Sequence, residues 1–487
     1  MSGADAPAQP SRVPDLHVPV AIIGGGFSGA AVAWHLLRLR PALERIVIIE
    51  PRAELGRGLA YSAADPSHRI NVPATRMSLI PDQPTHFNDW LEATGALDAD
   101  PAARRSEGRN FPARAVFGAY VAEQLAALGP RLVHVRASAQ TVEASGDGYR
   151  IHTSDGASVE AEIVVLAVAH APPSPPSALA RALASHPSFV PDPWQAGALD
   201  AVRPDDRVLI VGTGLTMADI VASLERLGHR GAIVALSRRG LRSRGHPAQV
   251  HEPFGDFATD PARSAGALVR RIRAAVAQAE QAGQSWHCVL DQVRLQGSVI
   301  WHALPPPERA RLLRHLRPFW DVHRFRIAPQ VEEVLDRRIT EGTLDLRAAS
   351  LREVTVGDDA IHVTLRARRT GEVTQAAFDA VITATGPAHG RVFADNPVLA
   401  SLERAGLARP DTLRLGIEVA PDGRTIGAAG VPVPGLFVAG PLARGTVGEL
   451  MGLPDVTNYA IRIAGEVAAQ LGADEVLGGA ARPYASA

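Results

Sequence analysis

Two stretches of the chain read as a strand, a glycine-rich turn and a helix, and this punctuation constrains the fold more than any other feature. The first is VAIIGGGFSGAAVAWHLL, with Gly24, Gly26 and Gly29 at G-x-G-x-x-G spacing. The second is RVLIVGTGLTMADI, in which Gly212 and Gly214 lead into Leu215 and Thr216. In such a turn the first glycine takes the tight bend and the second lets a pyrophosphate reach the backbone. The third lets the helix pack close to its strand. The phosphates then meet the N–H groups of the helix start, here Phe27, Ser28 and Gly29, where the dipole contributes about 0.3–1 kcal/mol per charge.

The strands that follow end in opposite charge. IVIIE closes on Glu50, 21 residues after Gly29, and a carboxylate there suits the two hydroxyls of an unphosphorylated ribose. AIVALSRRG closes on Ser237, Arg238 and Arg239, which suit a ribose bearing a 2′-phosphate. FAD at the first turn and NADPH at the second is the economical assignment. The second turn is the weaker, because Met217 stands where the third glycine belongs. A degenerate turn with solvated arginines is the plain alternative there.

Length and composition narrow the class. A chain of 487 residues with 46% hydrophobic and 21% charged residues has the make-up of a globular protein of two or three domains. Its net charge of −1 offers no field for nucleic acid or an anionic membrane. Val18 to Leu37 carries no formal charge, but Gly24-Gly25-Gly26 and Pro19 break it, so it reads as a buried strand and helix rather than a membrane span. Residues 1–17 read as a disordered leader without a signal-peptide core, and a cytoplasmic protein is expected. The single cysteine, Cys288, excludes a disulfide-reductase dithiol and reads as buried and structural. No metal-ligand spacing or nucleophile motif stands out.

The chain reads as a duplication. Each half opens on a glycine turn and continues into a three-stranded meander broken by Asp/Gly turns. Each closes on an apolar strand, EIVVLAVAH or AVITATG. The expected class is α/β, with two Rossmann-like dinucleotide-binding domains. The FAD domain takes 18–195 and 388–487, because the strand–loop–helix near the C-terminus has no partner in the second repeat. The NAD(P) domain, 196–387, is inserted into it. Pro- and Ser-rich residues between the halves read as linker. Residues of about 258–330 read as a helical insertion, with Pro305-Pro306-Pro307 opening one helix. Its Trp286, Trp301 and Trp320, with His287, His302, His315 and His323, fit an aromatic core with exposed histidines more simply than a substrate pocket.

These features, with GRGLAYS (56–62), HRINVPATRMS (68–78), FPARAVFGAYV (111–121), ALSRRG (235–240), ATGP (384–387) and VAGPLARGT (438–446), resemble the two-dinucleotide-binding-domain flavoproteins. That superfamily holds the flavin-containing, Baeyer–Villiger and N-hydroxylating monooxygenases. The chain is most similar to a bacterial family of FAD/NAD(P)-binding oxidoreductases. The resemblance implies that Gly56, Arg57 and Gly58 lie near the FAD diphosphate or ribityl, and that Asn71 and Val72, with Pro73, approach the isoalloxazine. Arg114 would face the FAD nucleotide, with a structural ion pair as the equal alternative. Gly440 and Pro441 would lie at the ribityl phosphate, although the Asp usual after that glycine is missing. Leu453 would open a helix aimed at the flavin pyrimidine edge.

Two departures stand out: Ala167-Val168-Ala169-His170 replaces an Ala-Thr-Gly hinge, and Val447-Gly448-Glu449 lacks an aromatic residue. The activity implied is an NADPH-dependent monooxygenase passing oxygen from a C4a-hydroperoxyflavin to a small substrate, with O2 as co-substrate. A reductase or dehydrogenase without oxygen insertion, or a non-catalytic FAD-binding protein with a decayed second site, are the alternatives. The catalytic side chains and the oligomeric state are not legible.

Overall fold

The computed structural model describes residues 16–105 and 108–472. Fifteen strands are present among them: β1 (Leu16–Ile23), β2 (Ile46–Ile49), β3 (Leu132–Val135), β4 (Ala139–Ser145), β5 (Gly148–Thr153), β6 (Ser158–Leu166), β7 (Phe189–Val190), β8 (Val208–Val211), β9 (Ile233–Ser237), β10 (Leu344–Val356), β11 (Ile361–Ala367), β12 (Val373–Phe378), β13 (Ala380–Thr383), β14 (Arg424–Ile426) and β15 (Pro432–Val438). They form two sheets. The first runs β14-β15-β6-β1-β2-β3, with the β4–β5 hairpin joined to β6; the second runs β12-β11-β10-β9-β8-β13-β7.

The run of apolar residues in β2 (IVII), β8 (VLIV) and β13 (AVIT) is explained by burial of every position. Parallel strands covered by helices on both faces have no solvent side to alternate toward. The meanders do alternate: in β11 Ile361, Val363 and Leu365 are buried while His362 and Arg366 are exposed. β15 pairs in parallel with β6, and the helix Asp455–Gln470 that follows packs on the helix Phe27–Leu39. The C-terminal part of the described chain thereby returns to the first sheet.

Two expectations about boundaries need correction. β1 begins at Leu16, so the last two residues of the expected leader are strand; the rest of that leader lies outside the described residues. The supposed linker and the residues up to 195 do not go with the first sheet. Leu179 and Leu183, on the helix Ser177–Leu183, pack in the core of the second sheet, and Phe189–Val190 pairs with β13. Proline here opens a helix and marks an edge strand, two positions it tolerates as readily as a loop.

Between β9 and the helix Pro329–Thr340 lie five helices: Ala265–Gln281, Trp286–Leu295, Gly297–Ala303, Pro306–His315 and Arg317–Arg324. Ser264 caps the first, its Oγ accepting from the Ala267 N–H at 3.2 Å. Pro306 sits at the start of the fourth, where its missing N–H costs nothing. These helices share their own core of Leu268, Ala279, Cys288, Val289, Ile300 and Leu304. Cys288 is buried and burial raises its pKa, as expected of a structural thiol.

Burial also sets how the fold responds to acid. It holds the imidazoles of His35, His170 and His287 down to about 4, and that of His246 to about 3. Each stays neutral in the folded chain yet binds a proton near pH 6.5 once unfolded. Their contribution is intact above about pH 6.5 and is lost as the pH falls toward 4. Urea denaturation at pH 5 is expected to show stability lower than at pH 7.5 by on the order of a few kcal/mol. Equal midpoints at the two pH values would contradict this burial.

Candidate functional site

The two glycine turns are built alike. Gly24 has φ +105°, donates to Ile49 O at 3.0 Å, and a Cβ on it would collide with Ala167 O. Gly212 has φ +133°, donates to Leu236 O at 2.8 Å, and a Cβ on it would collide with Ala384 O. Each takes a backbone shape rare for L-residues and lies against the strand beside it, so no other residue fits. The helices that follow, Phe27–Leu39 and Leu215–Arg226, start from Gly26 and Gly214 with no side-chain cap. Their first N–H groups are therefore open to an anion.

Around the first turn the residues fit an FAD nucleotide. Glu50 directly follows β2, is buried, and its carboxylate accepts from the Gly25 N–H at 2.9 Å and the Arg52 N–H at 3.0 Å. Gly56 donates to Gly25 O at 2.8 Å, and a Cβ on Gly58 would stand 2.9 Å from Gly26 Cα. The Gly56–Gly58 loop therefore lies directly on the turn. Gly440, at φ +86° and followed by Pro441, lies against Ser28, since a Cβ on it would strike the Ser28 hydroxyl. Gly29 packs under Gly24 O and Ile22, as the spacing requires. Phe27 turns its ring into a cluster with Phe117, 5.6 Å between centroids, so only its backbone N–H faces the turn. Arg57 pairs with Glu54 at 3.0 Å.

Other expected residues sit further out. Asn71 O lies 3.0 Å from His246 Nε2, and Val72 packs on the main core. Leu453 O accepts from Arg294, which also pairs with Asp455 at 2.7 Å. Arg114 is placed differently from the FAD-facing expectation. It is buried, donates from Nε to Arg69 O at 2.9 Å, and pairs with Asp219 on the helix Leu215–Arg226 at 2.9 Å. The ion pair is a structural one, but its carboxylate is buried rather than at the surface, and a buried guanidinium requires such carboxylate and carbonyl partners.

At the second turn, Met217 is fully buried, so its side chain is absorbed by the core. A Cβ on Gly214 would meet nothing within 4 Å, and Leu215 and Thr216 follow it into the helix. Ser237 Oγ lies 2.8 Å from Thr213 Oγ1 and accepts from the Gly240 N–H. Arg239 turns onto the helical insertion, 4.7 Å over the Phe319 ring and 3.2 Å from His315 O. Arg238 is exposed and forms no ion pair among the described residues. The cluster expected for a 2′-phosphate thus narrows to Arg238.

Between the insertion and the segment that follows β15 lies a cavity of about 590 Å³. Its walls include Trp286, Trp301, Trp320 and His323. His302 and His315 are exposed, as the core reading expects, but the tryptophans also wall a space of the size that small-molecule sites occupy, as the pocket alternative has it. The floor is Arg444, Gly448, Glu449 and Met451. The chain 440–451 therefore touches the first glycine turn at one end and closes the cavity at the other. Trp301 Nε1 donates to Gly445 O at 3.1 Å, and Glu449 accepts from Trp320 at 3.2 Å and Arg324 at 3.0 Å.

The missing aromatic at Gly448 is also accounted for. Gly448 has φ +100°, and a Cβ on it would stand 2.9 Å from Trp301 Cβ. The insertion supplies the ring that the segment lacks. Gly448→Ala is expected to cost about 1–3 kcal/mol, from forced backbone and collision together, and to lower the melting temperature seen by circular dichroism. An unchanged melting temperature would mean that Trp301 does not rest there.

Sequence reasoning missed the charged floor. Arg444 is buried, and burial beside Arg317 lowers its pKa to about 10. Asp321, 3.3 Å from Arg317, has its pKa raised by burial. His170, in the altered hinge after β6, is held down by burial and by the charges of Arg444 and Arg317. Three elements distant in sequence meet here, and no local motif signals it.

Comparison with known proteins agrees with this geometry. Residues 21–171 match the model of a FAD-NAD(P)-binding family, which names the cofactor pair expected from the two turns. No curated protein matches the chain. Among solved structures, an ornithine N-hydroxylase from Kutzneria sp. 744, solved with reduced FAD, NADP+ and L-ornithine, is similar over 94% of this chain and 100% of its own, at 17% identity and TM-score 0.61. An L-lysine 6-monooxygenase from Pseudomonas syringae is similar over 93% and 99%, at 19% identity and TM-score 0.63. A thioredoxin reductase from T. acidophilum covers 94% and 99%, at 12% identity and TM-score 0.52. The fold is that of two-domain FAD/NADP-binding flavoenzymes. At these identities it does not choose among their reactions.

Proposed function

We propose that this chain is an NADPH-dependent flavin oxidoreductase that acts as a monooxygenase on a small molecule held in the cavity under the helical insertion. One observation carries the reading. The segment 440–451 joins the first glycine turn to the cavity floor, so a molecule in the cavity would lie beside whatever the turn holds.

FAD held at the first turn would supply the redox chemistry between NADPH and dioxygen. The protein's own residues do the rest. Gly24, Gly26, the first N–H groups after Gly26, Glu50 and the Gly56–Gly58 loop hold the nucleotide. Gly212, Gly214 and Arg238 orient the dinucleotide that delivers reducing equivalents. Trp286, Trp301 and Trp320 give the cavity an aromatic wall for the substrate's apolar part. The lone, buried Cys288 argues against the dithiol chemistry of the thioredoxin-reductase relatives. The hydroxylating relatives motivate oxygen transfer as the outcome.

The test is anaerobic stopped-flow absorbance of the FAD-loaded protein with NADPH, followed by aerated buffer. Bleaching, and then a transient absorbance before the oxidised spectrum returns, is expected. Bleaching with no transient, and no oxygenated product from a panel of amines, thioethers and ketones, would leave a reductase. Absence of bleaching would overturn the oxidoreductase reading altogether.

A further inference from the structure

The cavity is apolar along most of its length, walled by Leu268, Ile272, Val293, Ile300 and Leu312. Arg273 and the exposed Glu280 stand on the helix Ala265–Gln281, while Arg317, Asp321, Arg444 and Glu449 come from the other elements of the wall, and the two acids of that second group are paired. Asp321 pairs with Arg317 at 3.3 Å, and Glu449 with Arg324 at 3.0 Å and Trp320 at 3.2 Å. Arg444 is the exception. It is 5% exposed, its Nη1 rests on Met451 Sδ, and it forms no ion pair among the described residues. Its Nε and Nη2 are buried with no acceptor among the described residues.

Those two atoms form one edge of the guanidinium. Elsewhere in this chain the same edge grips a carboxylate side-on. Arg226 holds Asp65 at 2.9 and 3.0 Å, Arg409 holds Glu418 at 2.8 and 3.1 Å, and Arg391 holds Asp395 at 3.0 and 2.7 Å. A planar fork of this kind matches a carboxylate in two parallel bonds. Leaving a buried cation unpaired is costly, so a partner from outside the protein has a strong incentive to bind.

The geometry points to an amphipathic carboxylate as the molecule this cavity takes, with its carboxylate on the Nε–Nη2 edge of Arg444 and its apolar body among the tryptophans and aliphatic walls. This rests on reading the cavity as the substrate site. Ornithine and lysine, named for hydroxylases of similar fold, share the carboxylate; the occupant inferred here differs from them in an apolar body without amines. Arg444 belongs to the segment that reaches Ser28 through Gly440, so the carboxylate would lie toward that segment.

The test is isothermal titration calorimetry of the FAD-loaded protein, without NADPH, using decanoate, decanol and decylamine as probes. Decanoate is expected to bind about 10- to 100-fold more tightly than decanol, the worth of a charge-assisted pair, and decylamine not to bind. Arg444→Met is expected to abolish that preference while melting no lower than the parent chain, since it removes a buried unpaired charge. Arg444→Lys keeps a charge but not the fork and serves as the second variant, with an intermediate preference expected. Equal binding of decanoate and decanol, or no binding of either, overturns the proposal. Flavin bleaching by NADPH is measured separately. Bleaching without decanoate binding sinks this inference alone; decanoate binding without bleaching sinks the oxidoreductase reading alone.

Discussion

Gly212→Val is expected to yield a protein that purifies yellow and stays yellow when NADPH is added. Gly212 has φ +133°, and a Cβ there would run into the carbonyl of Ala384 on the chain leaving β13. Valine must therefore push the turn away from β13 or refold it. Either movement displaces the helix start at Leu215, where the dinucleotide phosphates would be held. The first turn belongs to the other sheet and is untouched. FAD retention, read from the ratio of flavin to protein absorbance, should match the parent chain. The anaerobic bleaching rate with NADPH should fall by about 100-fold or more, the effect of some 2.7 kcal/mol at the barrier. Bleaching at the parental rate would mean that reducing equivalents arrive by another route. Gly24→Val makes the opposite prediction, because its Cβ would strike Ala167 O: there the flavin itself should be lost.

The second large effect concerns cofactor choice. Arg238→Ala is expected to raise KM for NADPH by about 10-fold and to leave KM for NADH unchanged. The figure takes the lower end of a charge-assisted hydrogen bond, about 1.5 kcal/mol, because Arg238 is exposed and salt screens it. Arg239→Ala supplies the control. Its guanidinium lies on Phe319 and reaches His315 O, so its loss should disturb the insertion and not the selectivity. Equal changes for both cofactors in the Arg238 variant would remove the 2′-phosphate assignment.

How much of this was legible beforehand depended on how local each signal is. The glycine turns were readable because their requirements are local: a positive φ, a close approach and an uncapped helix start all fall within six residues. The returning strand β15 was readable because an apolar strand must find a sheet. The residues between the halves were misread because proline marks a helix start or an edge strand as readily as a linker. Met217 looked like damage, but a helix can turn a long side chain inward when the opposing core has room, and local sequence does not report room. The cavity was the largest omission. Trp301 and Gly448 are complementary, a ring and the space for it, yet they lie far apart in the chain. Arg114 and Arg444 are both buried arginines. Only the distant partner, Asp219 for one and no carboxylate among the described residues for the other, distinguishes them.

The segment from Gly440 to Met451 has a consequence for how proteins of this shape can diversify. One wall of the cavity is tied to the flavin-holding turn through Gly440 and Ser28, so changes there would disturb cofactor and cargo together. The opposite wall, the helices Ala265–Gln281 and Pro306–His315, does not contribute to either glycine turn. Inheritance is therefore split: a descendant can acquire new chemical tastes by rewriting the roof, while the floor keeps the engine running.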